Sequence, residues 1–230
     1  GYLDNVRIYN VALTPLQFQM SSPGEQNYYR METDGGLAVH TGQSASVVDD
    51  TGLHPFTYNG QAYGPRYSND VVGGGILRDG VSMPNTHSLS FNGTSDYVEL
   101  GDQPLLKTLP QGDFTIELFL KTPPRDARSI LIGTYDNQAT GILNLEIGGA
   151  VHGSNKGRLR AYLQGSGSAN ELWGNSNISD NQWHHVALVR SGAAPATTRS
   201  ACTWITNWTA RWPLPPGSTR SGPPSSASAA

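Results

Sequence analysis

The run Phe114-Thr-Ile-Glu-Leu-Phe-Leu-Lys121 alternates closely enough to restrict the kind of fold open to this chain. Phe114, Ile116, Leu118 and Leu120 share one side of an extended segment, with Thr115, Glu117 and Lys121 on the other. Phe119 interrupts the polar side, so that side is expected to be partly covered or to line a groove. Segments at 129–135, 141–147, 158–164 and 183–190 continue the pattern, separated by Gly, Asn and Ser turns at the spacing of a sandwich. At 88–100, Leu89 and Phe91 share a face, Asn92-Gly93 breaks the run, and Tyr97, Val98 and Leu100 resume it, which predicts strand, turn, strand. Leu89, Phe91, Phe114, Ile116 and Leu118 are the predicted lining between two stacked sheets.

Composition agrees with short strands joined by many turns. The 230 residues include 27 Gly and 15 Pro, enough chain for one sandwich with residues left over. A formal net charge of -3 without a dense Lys/Arg cluster excludes the electrostatic footprint of a nucleic-acid or anionic-membrane binder. No apolar stretch has the length of a membrane span, so no membrane insertion is expected. The first residues lack the basic and apolar regions of a signal peptide, and a start at Gly1 is compatible with an upstream signal having been cut away. Cys202 is the single cysteine, which excludes an internal disulfide framework and a multi-cysteine zinc site.

The N-terminal segment reads as a strand, with Asp4, Val6 and Ile8 on one face and Asn5, Arg7 and Tyr9 on the other. A single helical turn should follow, because Thr14 can cap it, Pro15 suits its first position and Gln17 completes a capping box. Ser21-Ser-Pro-Gly24 has linker composition. Strand-like sequence restarts at 27–32, Val47-Val48 ends in an Asp49-Asp-Thr-Gly52 turn, and the Gly-, Asn-, Asp- and Tyr-rich stretch up to Pro84 suggests long surface loops.

Together Tyr28-Tyr-Arg-Met-Glu32, the segment 89–100, Phe114 to Lys121 and Trp183-His-His-Val-Ala-Leu-Val189 resemble successive strands of laminin G-like jelly rolls from bacterial surface proteins. Residues 1–13 resemble that family's closing strand and the helical turn after it. The resemblance covers most of 1–20 and 27–190. It implies an all-β, two-sheet antiparallel jelly-roll sandwich of the concanavalin A-like kind, truncated at its C-terminal end. It also implies an organisation: 1–20 as the closing strand and turn of a preceding repeat, 21–26 as linker, 27–195 as an incomplete sandwich, and 196–230 as an irregular tail. A closing strand ahead of an opening strand implies tandem repeats. Without its own closing strands the sandwich would expose unpaired backbone beside 27–32. Residues 2–9 are therefore expected to pair with the main sheet.

The tail departs from the family, which would continue with an apolar-Tyr-Val-Asp-Gly strand. Reading the last base of each codon with the first two of the next, Cys202-Thr203 gives Tyr or His, Thr203-Trp204 gives Leu, Met or Val, and Trp204-Ile205 gives Asp. Asn207-Trp208 then gives Leu and Trp208-Thr209 gives Asp. The shifted frame thus permits the missing strand, and the expectation is a frameshift between Ala193 and Ala201, the alternative being a Pro/Ser-rich linker. Sequencing the coding DNA decides between them.

For sugar binding, the residue types required are an aromatic platform flanked by amides or carboxylates. Trp173 with Asn170, Glu171, Asn175 and Asn177 is the first such cluster and Tyr135-Asp136-Asn137-Gln138 the second. Either also reads as a polar loop with one tucked aromatic. Family members often hold calcium, and Asp49, Asp50 and Asp96 lie at turns where oxygen ligands could converge, or are ordinary turn-capping aspartates. His184-His185 sit on adjacent strand positions and point to opposite faces, so they cannot share an ion and are read as structural. Related folds include glucanases with carboxylates set closely along one strand, whereas Glu99, Glu117 and Glu146 are each solitary in sequence.

The resulting expectation is a secreted or cell-surface module, not an enzyme, that binds glycan or extracellular protein ligands through loops at one rim, with calcium assisting, among neighbouring repeats of the same chain. The alternatives are a structural spacer repeat and an accessory domain of a carbohydrate-active hydrolase.

Overall fold

The computed structural model describes residues 1–18, 25–31, 46–47, 56–57, 64–73, 76–78, 81–98, 112–134, 142–164, 169–191 and 201–206. In chain order the strands are β1 (Tyr2–Tyr9), β2 (Glu25–Tyr29), β3 (Ser46–Val47), β4 (Phe56–Thr57), β5 (Arg66–Ser68), β6 (Ile76–Arg78), β7 (Val81–Met83) and β8 (Ser88–Ser90). They continue with β9 (Phe114–Lys121), β10 (Ser129–Thr134), β11 (Ile142–Ile147), β12 (Arg158–Gln164), β13 (Ala169–Asn177), β14 (Trp183–Ser191) and β15 (Ala201–Thr206).

Two antiparallel sheets carry the fold. The larger runs β15-β14-β9-β1-β8-β5, with β2 also paired to β1, and the smaller runs β10-β11-β12-β13. Two short hairpins, β3-β4 and β6-β7, fall where long loops were expected. The apolar sides face each other: Val6, Ile8, Leu89, Ile116, Leu118, Leu120, Val186 and Leu188 of the large sheet meet Leu143, Leu145, Ile147, Leu159 and Ala161 of the small one. Four of the predicted lining residues are fully buried, and Phe91 packs partly buried at the margin. Burying side chains of this size contributes roughly 1.5–3 kcal/mol each, the main term favouring the sandwich.

Strand β1 is an interior strand although it comes first in the chain. One edge pairs along β9 from Tyr2↔Lys121 to Tyr9↔Thr115; the other pairs with β8 at Tyr2 and Leu3 and with β2 from Val6 to Tyr9. The expected pairing of residues 2–9 with the main body is therefore present. The face assignment of Asp4 is corrected. Asp4 is opposite Phe119 and Arg7 opposite Glu117, so the β1 register slips between them. Asn5 sits there in the left-handed region at φ 48°, which an asparagine tolerates better than most residues. The extra residue turns Asp4 onto the same side as Arg7 and Tyr9 and leaves Val6 and Ile8 in the core.

The segment after β1 folds back over the outer side of the large sheet. It includes a 3-10 turn at Pro15–Gln17, where Gln17 Oε1 accepts from the Thr14 N–H at 2.9 Å and from the Thr14 hydroxyl at 2.8 Å. Leu13 and Phe18 are buried against Tyr9, Ala187 and Val189. The cover explains why Thr115, Glu117 and Phe119 on the outer side of β9 are buried, as the interrupting Phe119 had suggested.

The sequence differs from the structure at three further places. Residues 97–98 carry no strand, because the chain after β8 turns at 92–96 and does not re-enter the sheet there. β2 begins at Glu25, inside the segment 21–26 read as linker. Within the supposed irregular tail, β15 pairs with β14 from Val186↔Thr206 to Ser191↔Ala201. Backbone pairing makes few demands on sequence, and a Thr-Trp-Ile-Thr run is β-prone whatever its origin.

Candidate functional site

On the small sheet, alternation sends Leu143, Leu145, Leu159 and Ala161 inward and sets Asn144, Glu146, Arg160 and Tyr162 on the outer side. Register then assembles residues far apart in sequence into two rows, Glu146↔Arg160↔Trp173 and Asn144↔Tyr162↔Glu171. Arg160 ties the rows together by donating from Nη1 to Glu146 Oε1 and from Nη2 to Glu171 Oε1. Its guanidinium carbon lies 5.0 Å from the Tyr162 ring centre and 5.4 Å from that of Trp173. Trp173 is held in place from two sides. Its Nε1 donates to Glu171 Oε2 at 3.2 Å, and His152 lies 5.1 Å away ring to ring. A Cβ on Gly148 would stand 2.9 Å from the Trp173 ring and 2.6 Å from the Asn155 carbonyl, so only glycine admits this approach.

Electrostatics at this face centre on Arg160 and its two carboxylate partners. Arg160 keeps a raised pKa because hydrogen bonds and charge from Glu171 and Glu146 outweigh the burial that would lower it. Arg160 in turn holds the Glu171 carboxyl below the usual carboxylate range, with help from Trp173. A glycosidase acid must be proton-loaded near neutrality. Glu171 is shifted the opposite way.

The predicted site residues separate. Trp173 is half-buried on the face just described, on strand β13 and not in a rim loop. Asn175 follows it, exposed on β13. Asn177 serves the turn beyond: its Oδ1 accepts the Ser179 N–H at 2.9 Å, and a Cβ on Gly157 would come within 2.4 Å of it. Tyr135, Asp136, Asp49 and Asp50 lie outside the described residues. Asp96 Oδ2 accepts the Asn92 N–H at 2.7 Å, and Asn92 Oδ1 accepts from the N–H groups of Thr94, Ser95 and Asp96. Asp96 thus works as a turn-former. In the same turn Arg125 donates to the Gly93 carbonyl at 2.9 Å, and the second Asp96 oxygen, Oδ1, is buried. Among the described residues no group of three or more His, Cys, Asp or Glu side chains is placed to hold a metal ion.

Sequence reading placed Glu171 beside Trp173 but missed Arg160, Glu146 and His152. Glu146 is solitary along the chain yet shares Arg160 with Glu171 in space, and only the pairing of β11, β12 and β13 brings the two acids together. A second cluster was also missed, on the outer side of the large sheet. Glu117 accepts from the Tyr9 hydroxyl at 2.8 Å and from Arg7 Nη1 at 3.4 Å, and its other oxygen lies 3.0 Å from His185 Nε2. Arg7 and Glu117 are each about 1 % exposed. Arg7 lies over the Tyr28 ring at 4.2 Å. Burial opposes its charge, but Glu117, Tyr28 and Tyr9 outweigh that and raise its pKa. His184, by contrast, reaches Asp180 at 2.8 Å, so the two adjacent histidines have separate structural partners, as expected from their opposite faces.

Residues 92–200 match the family described as the concanavalin A-like lectin/glucanases superfamily, in its laminin G form. No curated protein and no solved structure matches the chain. Domains of the matched family are generally non-catalytic and typically extracellular. Among the described residues no helix is long and apolar enough to cross a membrane.

Proposed function

We propose, from the match of residues 92–200 to the concanavalin A-like lectin/glucanase superfamily, that this sandwich is an extracellular recognition module holding a glycan on the outer face of its small sheet. The observation that carries the reading is the cross-strand grouping of Tyr162, Trp173, Arg160 and Glu171 on one rigid face. A pyranose has an apolar face that suits a tryptophan ring and a rim of hydroxyls that suits carboxylate and amide acceptors. Two of the three Arg160 nitrogens are engaged by carboxylates, so the face offers acceptors and aromatic surface in preference to a free cation. Uncharged sugars fit that chemistry better than uronic acids. Sheet residues locked by neighbouring bonds lose little freedom on binding.

Calcium would enter this reading through Asp49, Asp50 and Asp96. The test is a glycan array followed by calorimetry, run with calcium and with chelator. Binding to neutral glycans that Trp173→Ala weakens tenfold or more, about 1.4 kcal/mol, supports the proposal. Binding unchanged by Trp173→Ala moves the ligand elsewhere. Silence on the array supports the spacer alternative, and turnover of a bound glycan supports the hydrolase accessory reading. A chelator-sensitive signal adds calcium as a co-ligand.

A further inference from the structure

Residues 1–18 dock onto the rest of the chain as a keyed plug. Val6 and Ile8 enter the core from one side of β1, and Leu13 and Phe18 close over Ala187 and Val189 on the other. Between them lies a set of specific polar bonds. Asn85 Nδ2 donates to Asp4 Oδ2 at 3.0 Å, the Tyr28 hydroxyl to Asn5 Oδ1 at 2.8 Å, and Arg7 and Tyr9 to Glu117. The Leu13 N–H donates to Thr115 Oγ1 at 2.9 Å, which itself donates to the Val11 carbonyl at 2.9 Å. The backbone ladder to β9 completes the seat.

We propose that this slot is an interface between two copies of the chain, in which residues 1–18 of each copy complete the large sheet of the other. Apart from the covalent connection through residues 19–24, every bond just named joins the plug to the body by contacts that an identical segment from a second copy reproduces. Extended, the stretch from Phe18 to Glu25 reaches about 25 Å, so two bodies side by side can exchange plugs reciprocally. Reciprocal exchange gives a closed, isologous pair. In dilute solution the tethered segment wins, because a short linker holds it at an effective concentration on the order of millimolar. Exchange grows with protein concentration.

The Arg7 and Glu117 pair supplies the test. Two full-length variants, Arg7→Glu and Glu117→Arg, each place like charges in their own slot, whereas exchange between them returns opposite charges to both slots. Mixing them during refolding is expected to give a one-to-one heterodimer of twice the monomer mass, with at least a tenfold gain in folded protein over either alone. Arg7→Glu/Glu117→Arg in one chain is the folding control. If that control folds as a monomer and the mixture yields no heterodimer, the proposal fails. If the control does not fold, two differently tagged wild-type preparations are unfolded together and refolded over a concentration series. Co-capture that rises with concentration and is suppressed by a synthetic peptide of residues 1–18 supports exchange. No co-capture at any concentration overturns it.

Discussion

The two outer faces of the sandwich carry the same chemical kit and use it differently. Each sets an arginine between a glutamate and aromatic rings: Arg7 with Glu117, Tyr9 and Tyr28 on the large sheet, and Arg160 with Glu146, Glu171, Tyr162 and Trp173 on the small one. On the large sheet the segment 10–18 lies over the cluster and removes it from water. On the small sheet Glu171 and Asn175 stay exposed. The same ionic group therefore specifies how a strand is seated on one side and shapes a surface on the other. Glu146 and Arg160 are themselves buried, so the two faces differ in the exposure of Glu171.

The largest effect is expected where the comparison is sharpest. Glu117→Ala leaves the Arg7 charge buried without its carboxylate and should cost about 3–5 kcal/mol in urea unfolding. Glu171→Ala, which removes an exposed carboxylate while Arg160 keeps Glu146, should cost less than about 1 kcal/mol. Equal losses would mean that the two faces are not distinguished by burial. Next in size, Leu13→Ala thins the cover and should lose about 3 kcal/mol by cavity formation, measured the same way. A loss below about 0.5 kcal/mol would show that the segment does not seal the cluster. Smaller in stability but decisive for recognition, Trp173→Ala should weaken glycan binding while Leu13→Ala leaves the affinity of the folded fraction unchanged. Calorimetry on both variants reads this.

The smallest effect is a pH dependence. Arg160 depresses the folded-state pKa of Glu171, so the carboxylate contributes stability above its unfolded value, roughly 4.3. That contribution is lost as pH falls from there through the lower folded value. Melting curves collected across this acid range should converge for the wild type and Glu171→Gln. Curves that diverge as pH falls would contradict the assignment.

Much of the fold is legible in the residues. Phe114 to Lys121 alternates apart from Phe119, and the bounds of 158–164 coincide with β12, because the period-two pattern of residue types is written locally. Thr14 and Gln17 announced their turn for the same reason. The site was half legible. Trp173 and Glu171 stand two apart on one strand, whereas Glu146 and Arg160 reach them only across β11 and β12. The Asp4 face was lost to a bulge at Asn5, a backbone choice that alternation cannot register.

Sequence alone determined that the chain forms two sheets with Leu89, Phe114, Ile116 and Leu118 between them, and that residues 2–9 would seek a place in one of them. Tertiary structure alone decided which arginine meets which glutamate, and which of those pairs is roofed by Leu13 and Phe18. Side-chain alternation depends on each strand's own backbone, but partnership depends on which strands become neighbours and in what register. That choice is made by closing the whole core at once.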